Sequence, residues 1–427
     1  MTYPGKAHPG HRARTAARPL PEAAPLARPA GQRIPAPADA QAAARSAALA
    51  ALTAARAAAP ATLAPQTQPW HPVVTTAPST PAGLPTAKRP RRWGALQIVC
   101  GQLVLVAGIL AVGRPWPVAA TIGLGAAAVL ALTAARYRGR WGYEWLLLAV
   151  GYALRDRERE LADADETGRA LLRALSPEGS GHTGQLGDDP VFFFSRTDGI
   201  SAVLRPDSLP SAPLPGPEAL LPPAEPGTCF TAQVLYHAGV DRRQPPRIWL
   251  ALQASRTVER YEDDAVRQTL ANALRRVQRR LRREGLPTTP LREPEFLGSI
   301  ASLAHVTAGR TQVREQWRLW HSGPVSQAAF RLEGWSSLPP ATTPRLINAL
   351  LGATAQTAVT LSLTARRSDG VPEVAAVVRV ASPHAAAVEQ AGQVLARLAA
   401  EWGIRLDRLE GRQQEGLIAT LPLGSVS

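Results

Sequence analysis

The sequence predicts a two-span transmembrane α-helical hairpin followed by a cytosolic mixed α/β domain. Three observations carry that expectation. Residues 93–112 and 115–135 are apolar runs without a single charge. Each reaches the roughly 20 residues that a helix needs to cross the ~30 Å hydrocarbon layer. Arginine and lysine fence the pair on both outer sides. Beyond the runs, strand pairs followed by a helix occur twice, the grammar of helices packed on a sheet.

Residues 1–87 form an Ala/Pro/Arg-rich tail whose only acids are Glu22 and Asp39. Large apolar side chains are too sparse there to offset the entropy of ordering, so a disordered tail is expected, with 40–59 helical part of the time. The first residues hold no apolar stretch, and no cleavable signal peptide is expected.

Only Gly113 and Arg114 separate the two apolar runs, with Pro115, Trp116 and Pro117 behind them, so the chain must turn at once and cross back. Lys88, Arg89, Arg91 and Arg92 precede the hairpin, and Arg136, Arg138 and Arg140 follow it. The turn holds one cation. By the positive-inside rule both outer ends, and with them both termini, are cytoplasmic in a multi-pass protein of the cell (inner) membrane. In the second span Ala119, Gly123, Ala127 and Ala131 recur every four residues and draw a stripe of small side chains. Gln97 and Gln102 place amides in the first span, where each needs a hydrogen-bonding partner. Two readings stand: the spans pack on each other, or the stripe is a face left for another membrane protein.

Residues 141–175 read as an interfacial helix and stem. Trp141, Trp145 and Tyr152 suit the headgroup zone, and the Arg/Glu stretch 155–160 leads into water. An ordinary amphipathic core helix fits the same letters.

The domain is expected over 190–424, with Gly-rich and Pro-rich loops at 176–190 and 206–226. Strands at 191–195 and 200–204 flank a turn at Asp198 and Gly199. Further strands are expected at 231–236 and 248–253. A helix at 261–284 places Val266, Leu270, Ala273, Val277 and Leu281 on one face, with Gly285 and Pro287 as its stop. Val359, Leu361 and Leu363 alternate with polar residues, Asp369 and Gly370 turn, and 374–380 returns. Pro383 opens a helix ending at Trp402 and Gly403, and strands at 404–409 and 416–421 close the chain. The two units are an internal echo.

The net charge of +15 is almost all arginine, the only lysines being Lys6 and Lys88. A basic face beside a membrane is usually held by anionic headgroups. Arg275, Arg276, Arg279, Arg280, Arg282 and Arg283 cover the polar end of the long helix. They serve its dipole, or contact headgroups or an acidic partner. No aromatic interleaves them, which argues against nucleic-acid binding.

Catalytic signatures are missing. Gly179, Gly181 and Gly184 spell G-x-G-x-x-G, but Ser176 and Pro177 precede them instead of a strand, so a flexible loop is the reading rather than a nucleotide cradle. There is no P-loop, no HExxH and no G-x-S-x-G elbow. Cys100 and Cys229 suit a reducing compartment and make neither a disulfide framework nor a zinc site. Asp263 and Asp264 read as helix-start acids. No catalytic, cofactor or metal residues are expected, and no small-molecule substrate.

Several strings together resemble EccE, the membrane component of the type VII (ESX-type) secretion system of actinobacteria. They are RRWGALQ at 91–97, GRW at 139–141, GISAVLRPDS at 199–208, QWRLW at 316–320, RLEGW at 331–335, LDRLEGRQ at 406–413 and ATLPLG at 419–424. The resemblance implies a non-enzymatic subunit that stabilises or completes an inner-membrane protein secretion complex, with EccB, EccC and EccD as partners. Two competing readings remain: a membrane-anchored transferase-like enzyme at the cytoplasmic leaflet, and a tethered nucleic-acid binder.

Overall fold

An uncharged run rich in leucine, valine and alanine builds helix α1 (Ala95–Ala111). The chain reverses at Gly113, whose φ of +79° a side chain would strain, into α2 (Trp116–Ala134). These elements belong to the computed structural model of the chain, which describes residues 95–137, 139–161, 167–208, 214–307, 311–368 and 370–424. The tail expected at 1–87 and the side chain of Gln97 lie outside the described residues. Trp116–Thr133 is long and apolar enough to cross a membrane, whereas α1 contributes the shorter apolar stretch Ile98–Ala111. Among the described residues the expected first span is thus matched only by this shorter apolar stretch.

After the hairpin, β1 (Arg136–Tyr137) and β2 (Arg140–Trp141) make a small antiparallel ribbon leading into α3 (Gly142–Leu154). Gly142 is needed there, because a Cβ would stand 2.8 Å from the Leu132 carbonyl oxygen of α2. The domain then begins earlier than position 190. It opens with β3 (Glu158–Glu160), α4 (Thr167–Leu175), β4 (Ser180–Leu186), β5 (Asp189–Arg196) and β6 (Gly199–Pro206). A short helix α5 (Pro217–Leu220) precedes β7 (Phe230–Ala238), β8 (Arg247–Ser255) and the long α6 (Asp263–Arg283). Next come β9 (Thr288–Pro290), α7 (Glu293–Leu303), β10 (Gln312–Glu315), β11 (Trp320–Ser322) and β12 (Val325–Glu333). The chain ends with α8 (Thr343–Gly352), β13 (Ala358–Ser368), β14 (Val371–Ser382), α9 (Ala385–Glu401), β15 (Arg405–Arg408) and α10 (Gln413–Ala419).

Thirteen of these strands form one antiparallel sheet ordered β3-β10-β11-β12-β14-β13-β7-β8-β6-β5-β4, with β15 beside β12 and β9 beside β6. Its centre explains the echo in the sequence. β6-β8-β7 is followed across the β7–β13 ladder by β13-β14-β12, the same order in reverse. In each half a hairpin is followed by a long helix, and the chain then returns as a short strand beside the half's first strand: β9 on β6, β15 on β12. The sheet thus has an approximate two-fold axis between β7 and β13.

Helices cover both faces. Val266, Leu270, Ala273, Val277 and Leu281 of α6, all buried as expected, share one core with Val388 and Leu395 of α9 and with α8. The opposite core is built from α4, α7 and the C-terminal segment. There α7 lies across the strands. Its Phe296 stacks 5.0 Å from Phe192 of β5, and the chain just beyond its other end accepts hydrogen bonds from Gln327 of β12 and Arg379 of β14.

Two local expectations are corrected. Residues 416–421 are not a strand: α10 runs to Ala419, and Gly416 lets it press onto β12, where a Cβ would meet Ala329 at 2.2 Å. Alternating apolar letters there are one turn of helix, not one face of a strand. The Gly-rich stretch at 176–190 is not a loop but contains the edge strand β4. Its glycines make room for phenylalanine rings: a Cβ on Gly181 would lie 2.3 Å from Phe192, and one on Gly184 2.8 Å from Phe193. The G-x-G-x-x-G letters are a packing pattern.

Buried polar groups line the sheet centre on the α7 side. Gln233 donates to the Ala419 and Leu421 carbonyls, both at 3.0 Å, and accepts from the Gly424 amide at 2.9 Å, latching the C-terminal segment to β7. Arg379, fully buried, donates to Gln327, Thr420 and the Leu303 carbonyl, and burial lowers its pKa to about 9.

Candidate functional site

Composition supplies aromatic and charged residues on either side of the helix α3, and the fold brings them together at one place. Trp145 and Tyr152 fall on the same side of α3, seven residues or two turns apart. Both reach Trp317 in the loop between β10 and β11: Tyr152 meets its ring edge-on at 5.1 Å, Trp145 at 6.3 Å. Trp317 in turn lies on Gly411, where a Cβ would be 2.8 Å from the indole, and its carbonyl accepts the Gly411 amide at 2.7 Å. Any side chain at Gly411, where φ is +68°, would push the tryptophan off.

Ion pairs frame this aromatic stack. Arg140 donates to Asp407 of β15 at 3.1 Å, with both side chains about three-quarters shielded. Arg155, at the end of α3, lies 3.5 Å from Glu315 and 3.9 Å from Glu415. Glu315 is almost fully buried. One of its oxygens accepts the Gln414 amide at 2.8 Å, so α10, β10 and the end of α3 are tied to one carboxylate. Beside it β3 pairs with β10, making the stem a strand of the sheet. The junction therefore clamps the hairpin to the domain by aromatic contact, ion pairing and backbone ladder together.

The strings GRW, QWRLW and LDRLEGRQ converge here from positions 139, 316 and 406. Their letters gave no sign that they would touch. Glu315 and Arg155 were not singled out in the sequence, and nothing in their local pattern marks them.

The other predicted positions lie elsewhere. On α2, Ala119, Ile122 and Ala126 are half-buried and fall on the side that meets α1, while Gly123, Ala127 and Ala131 are exposed. A methyl group built on Gly123 meets nothing within 4 Å. The stripe is thus divided: Ala119 is half-buried, and Gly123, Ala127 and Ala131 stay open. Gln102 is exposed on α1. Arg275, Arg276, Arg279, Arg280, Arg282 and Arg283 are all exposed at the end of α6, on the opposite side of the sheet's centre from the stem.

The segment running from β8 through α6, α7 and the Trp317 loop to β12 has a counterpart among known families. Residues 249–332 match the model described as "Putative type VII ESX secretion system translocon, EccE". Over that segment, about a fifth of its length, the chain is similar to the EccE family. The matched segment contains both the arginine face of α6 and Trp317, the ring at the centre of the junction. No curated protein matches the chain.

Proposed function

We propose that this chain is an EccE-type, non-enzymatic membrane subunit that stabilises or completes the inner-membrane assembly of a type VII secretion complex. In this reading α1 and α2 cross the bilayer as a hairpin, both termini are cytoplasmic, and EccB, EccC and EccD are its neighbours. The observation that carries it is the apolar skin of the hairpin. Leu103, Leu105, Ile109, Leu110, Val112, Trp116 and Leu124 are each more than 60% exposed. In the described domain from β3 onward, large exposed apolar side chains are limited to Val240, Val258, Tyr261 and Val371. A surface that apolar belongs in lipid or against another membrane helix.

The junction gives the anchored domain a fixed attitude. A domain on a free linker would sweep a wide volume, whereas one held through Trp317, Glu315 and β3 presents constant faces to its neighbours. Reporter fusions test the topology. Alkaline phosphatase joined after Gly424 is expected to be inactive and a cytoplasmic reporter active; the reverse pattern overturns it. Blue-native gels of membranes lacking the chain are expected to show a smaller or less stable secretion complex.

A further inference from the structure

We propose that the arginine face of α6 is the docking site for an acidic segment of a partner protein in the assembly. The inference rests on the reading of the chain as a complex subunit. Six guanidiniums stand exposed between positions 275 and 283, and carboxylates answer only two of them: Glu225 at 3.0 Å from Arg276 and Glu284 at 2.9 Å from Arg280. Arg279 and Arg283 donate to carbonyls of their own helix, and Arg275 to Asn272. Arg275, Arg279, Arg282 and Arg283 face no carboxylate among the described residues. A helix C-terminus is served by one or two cations in its last turn, so the dipole does not account for the number.

Four of these arginines, Arg276, Arg279, Arg282 and Arg283, line one surface groove. Arg276, Arg279 and Arg283 follow i, i+3, i+7 spacing, which spreads charge over roughly 10 Å of helix at ~1.5 Å per residue. That rail suits a partner presenting three or more carboxylates at similar spacing, each held by a charge-assisted bond.

Two other anionic classes fit less well. The apolar side of α6 is committed to the domain core, leaving no hydrophobic face to enter a bilayer. The patch also lies away from the stem. In the sheet β12, β14, β13 and β7 separate β11, next to Trp317, from β8, under α6. At ~4.8 Å per strand that is roughly 24 Å. Single-stranded nucleic acid would want aromatic platforms between the cations, and 275–283 has none.

A photo-crosslinking residue in place of Asn272, in the full-length protein within native membranes, tests the proposal. The expected product is a crosslink to a protein peptide rich in Asp and Glu, lost in Arg279→Glu/Arg283→Glu but kept in the control Arg243→Glu/Arg345→Glu. With purified full-length protein in detergent, a fluorescent peptide bearing glutamates at i, i+3 and i+7 should bind about tenfold more weakly to the patch variant, and its glutamine analogue should not bind. Crosslinks to lipid or RNA alone, binding of phosphatidylglycerol vesicles in preference to the peptide, or equal loss in both double variants overturns the proposal. Blue-native gels run in parallel separate it from the reading beneath it. A normal complex without the acidic crosslink refutes the docking site alone, whereas a chain that never enters a large complex refutes the subunit role.

Discussion

Tyr152 meets Trp317 edge-on, their ring centroids 5.1 Å apart and their planes at 90°. One residue lies in the last turn of the helix that follows the hairpin, and the other sits in a loop of the domain more than a hundred positions later. Their contact is the aromatic part of the clamp between the two, so its removal should be felt as loosened attachment more than as unfolding.

Trp317→Ala is expected to free the end of α3 while the two cores persist. An aromatic pair of this geometry contributes about 0.5–1.5 kcal/mol beyond its buried area. Limited proteolysis of the detergent-solubilised protein should cut faster around positions 155–157, with the main unfolding transition shifted far less. An unchanged cleavage rate would remove Trp317 from the clamp.

His237 predicts the acid limb of stability. It is buried beside Thr360, 2.9 Å away, and burial, assisted by Arg247, holds its pKa down at about 3. The unfolded chain takes up that proton near pH 6.5, so between about 6.5 and 3 the unfolded state binds more protons than the folded one. Stability is therefore full above pH 6.5 and falls as the pH drops, by about 1.4 kcal/mol per unit from this group. In His237→Gln the loss between pH 7 and pH 5 should shrink by about 2 kcal/mol. Equal slopes in denaturant titrations of the two proteins would contradict the assignment.

Gly181→Val should destabilise the β4 edge by about 1–3 kcal/mol, because the new side chain displaces Phe192. Thermal unfolding of both proteins with and without ATP checks this against the phosphate-cradle reading of the same letters. A nucleotide-dependent stabilisation abolished by the substitution would restore that reading.

Gly123→Leu should leave the domain folded and remove the chain from the large complex. A Cβ there meets nothing within 4 Å in the chain itself, so the leucine would spoil contact with a further helix, at about 0.6–2 kcal/mol per lost interaction. Co-purification at wild-type levels in both Gly123→Leu and Ala127→Leu would show that the stripe is not an assembly surface.

Much of this architecture was legible because it was periodic. The α6 face, the β5–β6 and β13–β14 hairpins and the stop at Gly403 follow from alternation and turn chemistry, which act within a few residues. What escaped was non-local. β3, β9, β10 and β11 are three- or four-residue strands whose identity comes from the neighbour they pair with. β4 looked like a loop because its glycines are explained only by rings on the adjacent strand. The junction was half legible: its strings were noted, but Arg140 meeting Asp407 depends on a return of the chain that no local pattern encodes. The exposed arginines could be read directly from α6, since helical spacing fixes their side.

The two-fold arrangement of the sheet also sets a timetable. Within each half the return is shorter than the link between halves: about 80 residues separate β9 from β6 and about 70 separate β15 from β12, against about 120 between β7 and β13. The β7–β13 ladder must wait, because everything from β8 to α8 must be synthesised between its two strands. During that interval the first half carries a bare, apolar edge along Val234 and Tyr236, the kind of edge that captures strands of other nascent chains. The longer β13 is delayed, the longer that edge stays open to such capture.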